Sequence, residues 1–397
     1  MSKELRLIEL FSGIGSQTQA LKNIGVPHKV VAVSDICPFA DKSYRALHGN
    51  SVNNLGDIQK IAGLPKADLW TYSFPCQDLS VASQTKLGLR GARSGLLYEV
   101  ERLLIIAKNQ GRLPRYLLLE NVKNLIGKNH RADYEKWLAF LVSLGYKNFW
   151  QVINAKDYLP QNRERVFCVS ILGDKASYEF PVPPVRTAKL KDFLDNSVDE
   201  RYYIKLGVFK TILNTGFSYN RRRIQVKDFC RALIARDFYG PVCLITGKLE
   251  TAVLDMLLRL TDTSKGGIPL SELKDPVIVA QRGRNPDSPG SRIAGLPTEQ
   301  RFEPNLKGVC NTLTTVQKDN FVCVINTDKD IMTLEDIFDG LRIRKLTERE
   351  YWRLMGWSDR QIGKVIKAGV SKKHMYKQAG NGICVPVLEA IFRKLFL

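Results

Sequence analysis

The chain has 397 residues, 44% of them hydrophobic and 25% charged, which excludes a disordered or fibrous protein and predicts one large folded domain with a smaller one. Its 60 Lys and Arg residues exceed its 40 Asp and Glu residues, so the formal net charge is +20 at pH 7. An excess of this size favours a polyanionic partner such as nucleic acid over a charge that serves only solubility.

The eight cysteines and four histidines are dispersed, and no Cys-x-x-Cys pair occurs. This pattern is typical of neither a zinc site nor a disulfide framework, so we predict no metal and reduced thiols in a cytoplasmic protein. The first residues have no apolar signal core, and no apolar run approaches membrane-spanning length, which predicts no membrane association.

Strand-like and helix-like patterns alternate along the first 175 residues. Apolar runs typical of buried strands lie at Leu5–Leu10, His28–Val33, Ala67–Phe74, Tyr116–Leu119 and Val166–Ile171. Helical spacing lies between them at Ser16–Asn23, about 39–47, Ser94–Asn109 and Tyr134–Leu144. The alternation predicts an α/β fold with a doubly wound, mainly parallel sheet covered by helices on both faces.

Pro181, Pro183 and Pro184 end that alternation. We predict a first domain over 1–185, a second, smaller domain of irregular build over 186–340, and a final segment over 341–397. Helical patterns return in the final segment at Thr347–Leu354, with Thr347 as the candidate N-cap, and from Pro386 to Leu395.

The segment Phe11-Ser-Gly-Ile-Gly15 ends the first predicted strand and precedes a helix. Glycines there allow a ligand to approach the backbone and the free N–H groups of the helix. Asp35 ends the next strand, where an acid can accept hydrogen bonds from ribose hydroxyls, and Asp57 offers a further polar group. Thr18 replaces the third glycine of a dinucleotide fingerprint. The set favours a nucleoside cofactor over a tight turn with two solvated acids.

Cys76 and Glu120 each follow an apolar, strand-like run, and Pro75 stops the first of these. Side chains at the carboxyl ends of such strands face a common cleft, where a thiol can act as a nucleophile and a desolvated carboxyl can donate a proton. The alternatives are a cysteine that packs as a small buried hydrophobe and a glutamate that caps a loop.

Gln161, Arg163 and Arg165 recur with a period of two just before the strand Val166–Ile171. If this segment is extended, all three side chains point to one face, and the two guanidiniums form an anion or base-edge site. The alternative is a solvated strand edge. Gln378-Ala-Gly-Asn-Gly382 indicates only a turn before the last helix.

In this order the segments resemble the cytosine-5 DNA methyltransferase family over about 5–172 and 342–397. The matching motifs are Phe11-Ser-Gly-Ile-Gly15, Phe74-Pro-Cys-Gln77, Glu120-Asn-Val122, Gln161-Asn-Arg-Glu-Arg165, Arg344-Lys-Leu-Thr-Glu-Arg-Glu350 and Tyr376-Lys-Gln-Ala-Gly-Asn-Gly382. Cys310-Asn-Thr-Leu-Thr-Thr315 resembles the Thr-Leu element of the target-recognition region. Gly382 departs from the family pattern, which usually has serine after Gly-Asn.

The resemblance implies a Rossmann-like methyltransferase with a target-recognition domain and S-adenosylmethionine as the cofactor. It places cofactor contacts at Phe11, Gly13, Ile14, Gly15, Asp35, Ile36, Asp57, Ile58, Pro75, Leu96 and Asn381. It assigns catalysis to Cys76, Glu120, Arg163 and Arg165, and DNA contacts to Gln77, Ser80, Gln161 and Thr314. The two arginines would orient the base or its phosphate.

The implied reaction is methyl transfer to carbon 5 of a flipped-out cytosine in double-stranded DNA, through a covalent adduct with Cys76. A monomer that acts beside a cognate restriction endonuclease is the expected setting. Three alternatives remain at this point: a transfer-RNA cytosine methyltransferase, a DNA-binding protein without activity, and a nicotinamide-dependent oxidoreductase.

Overall fold

A computed structural model describes residues 4–75, 94–203, 277–284, 299–305, 309–313, 320–325 and 341–397. The chain divides into two compact units, one formed by Met1–Ala188 with Glu348–Leu397 and the other by Lys189–Thr347. A role in target recognition for the second unit stays a prediction. Within the described ranges no helix is long and apolar enough to cross a membrane.

The first unit contains a six-stranded sheet in the order β2-β1-β3-β4-β6-β5. Its strands are β1 (Leu5–Leu10), β2 (His28–Ser34), β3 (Leu69–Tyr72), β4 (Tyr116–Val122), β5 (Tyr146–Asn154) and β6 (Glu164–Leu172). The pairs β1–β2, β1–β3 and β3–β4 are parallel, whereas β6 runs antiparallel to both β4 and β5. The predicted doubly wound, mainly parallel sheet is therefore confirmed.

Four helices accompany these strands: α1 (Ser16–Asn23), α2 (Pro38–His48), α3 (Leu97–Asn109) and α4 (Arg131–Ser143). Apolar residues of α3 and α4, such as Leu104 and Leu141, pack with buried strand residues such as Trp70 and Leu117 in one core. All four residues of β3 are buried, as expected of a strand covered by helices on both faces.

The strand order creates a crevice where the site residues gather. The chain passes from β1 through α1 to β2 on one side, and β3 then pairs with the opposite side of β1. Ligands of doubly wound sheets bind at such a switch point, beyond the carboxyl ends of the strands. Since β1 to β4 run parallel, the segments that follow them meet at one edge of the sheet.

The final segment returns to the first unit as α5 (Glu348–Arg353), α6 (Asp359–Lys367), α7 (Lys372–Asn381) and α8 (Val385–Phe396). The helix α8 packs on α1, where Asn23 Nδ2 donates to Glu389 Oε1 at 2.6 Å. The sequence reading missed α6. It also interpreted 378–382 as a turn, which was wrong, because α7 continues through Asn381.

The second unit contains four described strands in the order β10-β9-β7-β8, all paired antiparallel. They are β7 (Val277–Arg284), β8 (Glu299–Asn305), β9 (Phe321–Ile325) and β10 (Leu341–Lys345). Thr347, the predicted N-cap of α5, donates its hydroxyl to Asp195 Oδ2 at 3.1 Å.

Candidate active site

The loop between β1 and α1 is built from left-handed backbone. Phe11, Gly13 and Gly15 have φ angles of 56°, 54° and 76°, a region that glycine enters without strain and phenylalanine does not. A Cβ atom on Gly15 would lie 2.5 Å from His48 Nε2 and 2.6 Å from Tyr44 Cε2. The loop therefore depends on a bare backbone at position 15.

Asp35 connects the end of β2 to this loop. Its Oδ2 accepts the N–H of Gly13 at 2.8 Å, and its Oδ1 accepts the N–H of Cys37 at 2.8 Å. Burial raises the pKa of Asp35, while the two backbone hydrogen bonds oppose that shift. The next side chain, Ile36, is 75% exposed, which leaves an apolar surface beside a carboxylate that is already oriented.

The other predicted cofactor residues occupy different environments. Asp57 accepts the N–H of Gln59 at 3.1 Å and caps a short 3-10 turn. Ile58 is buried in the core. Ile14 belongs to the loop, its side chain is buried, and its carbonyl oxygen lies 3.0 Å from His48 Nε2. Leu96 and Pro75 are partly buried, and Asn381 is exposed.

A buried polar network under the loop was missed by the sequence reading. Glu9 of β1 is fully buried, and its carboxylate accepts hydrogen bonds from Thr18 N at 3.0 Å, Thr18 Oγ1 at 2.7 Å and Tyr44 Oη at 2.6 Å. Burial raises the pKa of Glu9, and these donors act in the opposite direction. The signal that could have found this network is an acid inside the apolar run Leu5–Leu10.

Glu120 lies within β4 rather than after it, and its side chain is only 6% exposed. Arg165 Nε lies 3.3 Å from Glu120 Oε1, and Ser73 donates its hydroxyl to Glu120 Oε2. Ser73 directly follows β3, so the adjacent strands β3 and β4 bring a hydroxyl and a carboxylate together. A guanidinium and a hydroxyl thus hold the carboxylate in a desolvated position.

Asn121 fixes the segment that leads to Cys76. Its buried Nδ2 donates to the carbonyl of Phe74 at 3.1 Å, two residues before the cysteine. Cys76, Gln77, Ser80 and Thr314 lie outside the described residues.

Three other thiols are poor nucleophiles because burial raises their pKa values. These values are about 11 for Cys168 and about 12 for both Cys323 and Cys384. All three are therefore protonated near neutral pH, whereas the thiolate is the nucleophilic form of cysteine.

The three side chains of the Gln-x-Arg-x-Arg motif have different partners, and the common face expected of them stays a prediction. The strand β6 begins only at Glu164, so Gln161 and Arg163 precede it. Gln161 is fully buried and donates to the carbonyl of Leu354 at 2.6 Å, which leaves it no exposed surface for DNA. Arg163 is 3% exposed and donates to main-chain carbonyls of the final segment. Of the three, Arg165 is the residue that contacts Glu120.

Comparison with known proteins assigns this arrangement to a family. The family model for C-5 cytosine-specific DNA methylases matches residues 5–397. The chain belongs to the C-5 cytosine-specific DNA methylase family. It is therefore an enzyme that methylates carbon 5 of cytosine in DNA.

Two curated relatives of this methylase match along nearly their whole lengths. The chain is 30% identical to the type II methyltransferase M2.ScrFI of Lactococcus lactis subsp. cremoris, covering 99% of each chain. It is 34% identical to the type II methyltransferase M.NlaX of Neisseria lactamica, covering 98% of this chain and 96% of that one. A solved structure of the S. pombe Dnmt2 methyltransferase, 20% identical with a TM-score of 0.59 and full coverage of both chains, shares the fold.

The departure at Gly382 has a local physical reason. Its φ of −72° is open to any residue, but a Cβ atom there would lie 3.0 Å from the carbonyl oxygen of Gln378. The glycine allows the chain leaving α7 to pass close to the last turn of that helix. A side chain at this position requires the neighbouring backbone to move by a few tenths of an ångström.

Proposed function

We propose that this methylase modifies cytosine in a specific double-stranded DNA sequence, with S-adenosylmethionine as methyl donor and Cys76 as covalent nucleophile. The observation that carries the proposal is the buried Glu120, held by Arg165 and Ser73. The neighbouring Asn121 fixes the carbonyl of Phe74, two residues before Cys76. One strand end therefore orients the carboxylate and also anchors the segment of the nucleophile.

The residues of the crevice fit S-adenosylmethionine. Asp35 keeps a second lone pair on each carboxylate oxygen for ribose hydroxyls after it accepts Gly13 N and Cys37 N. Ile36 offers an exposed apolar surface to a flat base, and the left-handed loop allows a ligand close to its backbone. Phe11, Ile14, Asp57, Ile58, Pro75, Leu96 and Asn381 complete the proposed cofactor site.

When bound, S-adenosylmethionine supplies an electrophilic methyl group on a sulfonium. In the proposed reaction the Cys76 thiolate adds to carbon 6 of cytosine, which makes carbon 5 nucleophilic. Glu120 holds the proton at ring nitrogen 3 and binds the exocyclic amine, so the negative charge from the addition is neutralised. Arg165 orients the base. After carbon 5 takes the methyl group, it loses its proton to a base, and the bond from carbon 6 to Cys76 breaks.

The second unit and the loop residues Gln77, Ser80 and Thr314 are proposed to contact DNA. The ring atoms of cytosine cannot be attacked inside a duplex, so the base must leave the stack. That step costs a few kcal/mol, which phosphate contacts of the basic chain offset. We further propose that the protein is a cytoplasmic monomer. Because two curated relatives are named type II methyltransferases, we propose that it protects its site from a cognate endonuclease.

The test incubates unmethylated plasmid with the full-length protein and S-adenosylmethionine, followed by nucleoside mass spectrometry. The parent should produce 5-methylcytosine, and Cys76→Ala should produce none. A duplex with 5-fluorocytosine in the recognition site should trap the parent, but not Cys76→Ala, as a covalent adduct. Methylation by folded Cys76→Ala would refute the nucleophile, and product on transfer RNA alone would refute the DNA substrate.

Glu120→Gln tests the proton role. The amide keeps the shape of Glu120 but cannot hold the proton, so we expect turnover to fall by about 10²- to 10⁴-fold, the range for positioned acids and bases. Single-turnover kinetics with a duplex oligonucleotide measures this, and a binding titration should show nearly unchanged DNA affinity. Glu164→Gln is the matched control, since Glu164 is exposed and pairs with Lys123. Equal turnover of parent and Glu120→Gln would remove Glu120 from the mechanism.

A further inference from the structure

The guanidinium of Arg163 contacts the final segment of the chain. Its Nη2 donates to the carbonyl of Gly380 at 3.0 Å and to that of Gly382 at 2.7 Å. These two carbonyls flank Asn381, which is exposed. Hydrogen bonds from a charged donor are stronger than neutral ones, so Arg163 fixes the backbone on both sides of Asn381.

The backbone of Arg163 is itself tightly held. Its N–H donates to Asn154 Oδ1 at 2.9 Å, and its carbonyl accepts the N–H of Ala155 at 3.0 Å. Both partners lie at the end of β5. The guanidinium therefore projects from a fixed point of the sheet.

The same helix, α7, is attached on its other side to the cofactor crevice. Gln378 Nε2 donates to the carbonyl of Phe39 at 2.8 Å, and Ser43 Oγ donates to Gln378 Oε1 at 3.1 Å. The rings of Phe39 and His374 stack with centroids 3.5 Å apart. Phe39 belongs to α2, which begins three residues after Asp35. The helix α7 thus joins the Asp35 side of the crevice to the Gln161–Arg165 segment.

We propose that Arg163 is a positioning residue for the cofactor, which acts by holding Asn381 and the end of α7, and that Arg165 is the arginine that acts on the base. The inference rests on the proposed function, because it assigns separate tasks to two arginines of that site. It differs from the sequence prediction, in which both arginines orient the base.

The experiment compares Arg163→Lys with the matched variant Arg165→Lys in the full-length protein. Lysine keeps the charge, but its side chain is shorter and ends in a freely rotating ammonium, so it lacks the planar Nη2 group that bonds both carbonyls in Arg163. Two properties are measured: the Kd of S-adenosylmethionine by calorimetry without DNA, and the exchange of the carbon 5 hydrogen of duplex cytosine with solvent without cofactor. Exchange reports attack at carbon 6 followed by protonation and deprotonation of carbon 5, without methyl transfer. Circular dichroism and thermal melting verify the fold.

For Arg163→Lys we expect Kd to rise about tenfold or more, as loss of a charge-assisted hydrogen bond predicts, with exchange within about threefold of the parent. For Arg165→Lys we expect slower exchange and an unchanged Kd. The inference is overturned if Arg163→Lys slows exchange as much as Arg165→Lys does, or if it leaves the Kd unchanged. If Arg163→Lys does not fold, Arg163→Gln takes its place, and the same rise in Kd with unchanged exchange is required.

Failure of the proposed function produces a different result. A parent that binds S-adenosylmethionine but neither exchanges nor methylates cytosine would refute the reaction. The calorimetric comparison of Arg163→Lys with the parent would still decide the role of Arg163.

Discussion

Gly15 and Gly25 lie at opposite ends of α1 with similar left-handed φ angles of 76° and 73°. They differ in their surroundings. A Cβ atom on Gly15 would overlap the side chains of Tyr44 and His48, whereas a Cβ atom on Gly25 meets nothing within 4 Å. The two positions therefore separate backbone strain from steric overlap.

We predict that Gly15→Ala lowers the free energy of unfolding by about 2 kcal/mol more than Gly25→Ala does. Both substitutions carry the left-handed strain of about 1–2 kcal/mol, and only Gly15→Ala adds overpacking, typically about 1–3 kcal/mol. Urea denaturation of both variants and the parent measures this difference. Equal destabilisation would show that Tyr44 and His48 move away from the new methyl group without lowering the free energy of unfolding.

At the scale of elements, His48 of α2 supports the loop between β1 and α1. Its Nε2–H donates to the carbonyl of Ile14 at 3.0 Å, so Nδ1 accepts from Lys22 Nζ at 3.1 Å. Burial, with the nearby charge of Lys22, lowers the pKa of His48 to about 3. The neutral ring is thus the form that links α2 to the loop, through Ile14, and to α1, through Lys22.

This shift makes stability depend on pH. The unfolded ring has a pKa of about 6.5, so between that value and about 3 the unfolded state binds the extra proton. The contribution of neutral His48 to the free energy of unfolding is complete above pH 6.5 and is lost as the pH falls towards 3. We predict that parent stability decreases from pH 7.5 to 5 more steeply than that of His48→Gln.

Chemical denaturation across this pH range tests the prediction. Glu9, Lys22 and His28 are present in both proteins, so their own titrations largely cancel in the difference. Parallel profiles for the parent and His48→Gln would show that His48 titrates normally in the folded protein.

At the scale of the whole molecule, the net charge of +20 predicts DNA binding that weakens steeply with salt. Each phosphate neutralised contributes about −0.9 to the slope of log Kobs against log salt concentration. We expect a slope of about −4 or steeper, which corresponds to roughly five phosphates. Fluorescence anisotropy with a duplex oligonucleotide at several salt concentrations measures it. A flat dependence would leave the basic excess without a role in DNA binding.

Much of the fold follows from local pattern. The strands β1, β2, β4 and β6 and the helices α1 to α4 coincide with apolar runs and periodicities in the sequence, since each must bury one face or both. Asp35 directly follows β2 and Glu120 lies near the carboxyl end of β4, where the sequence pattern placed them, because the carboxyl ends of parallel strands meet at one edge. Their roles stay predictions.

The sequence by itself determined the family motifs, the parallel core of the sheet and the residue types of the site. Only the tertiary structure decided the partners of those residues. Gln161 and Arg163 bond carbonyls about 190 to 220 positions away, and Glu9 bonds Tyr44 across two elements. A spacing of two residues specifies a face only inside a regular strand, and β6 begins after Arg163. The final segment therefore supplies the partners of Gln161 and Arg163, because buried polar groups take whichever partners the fold brings within reach.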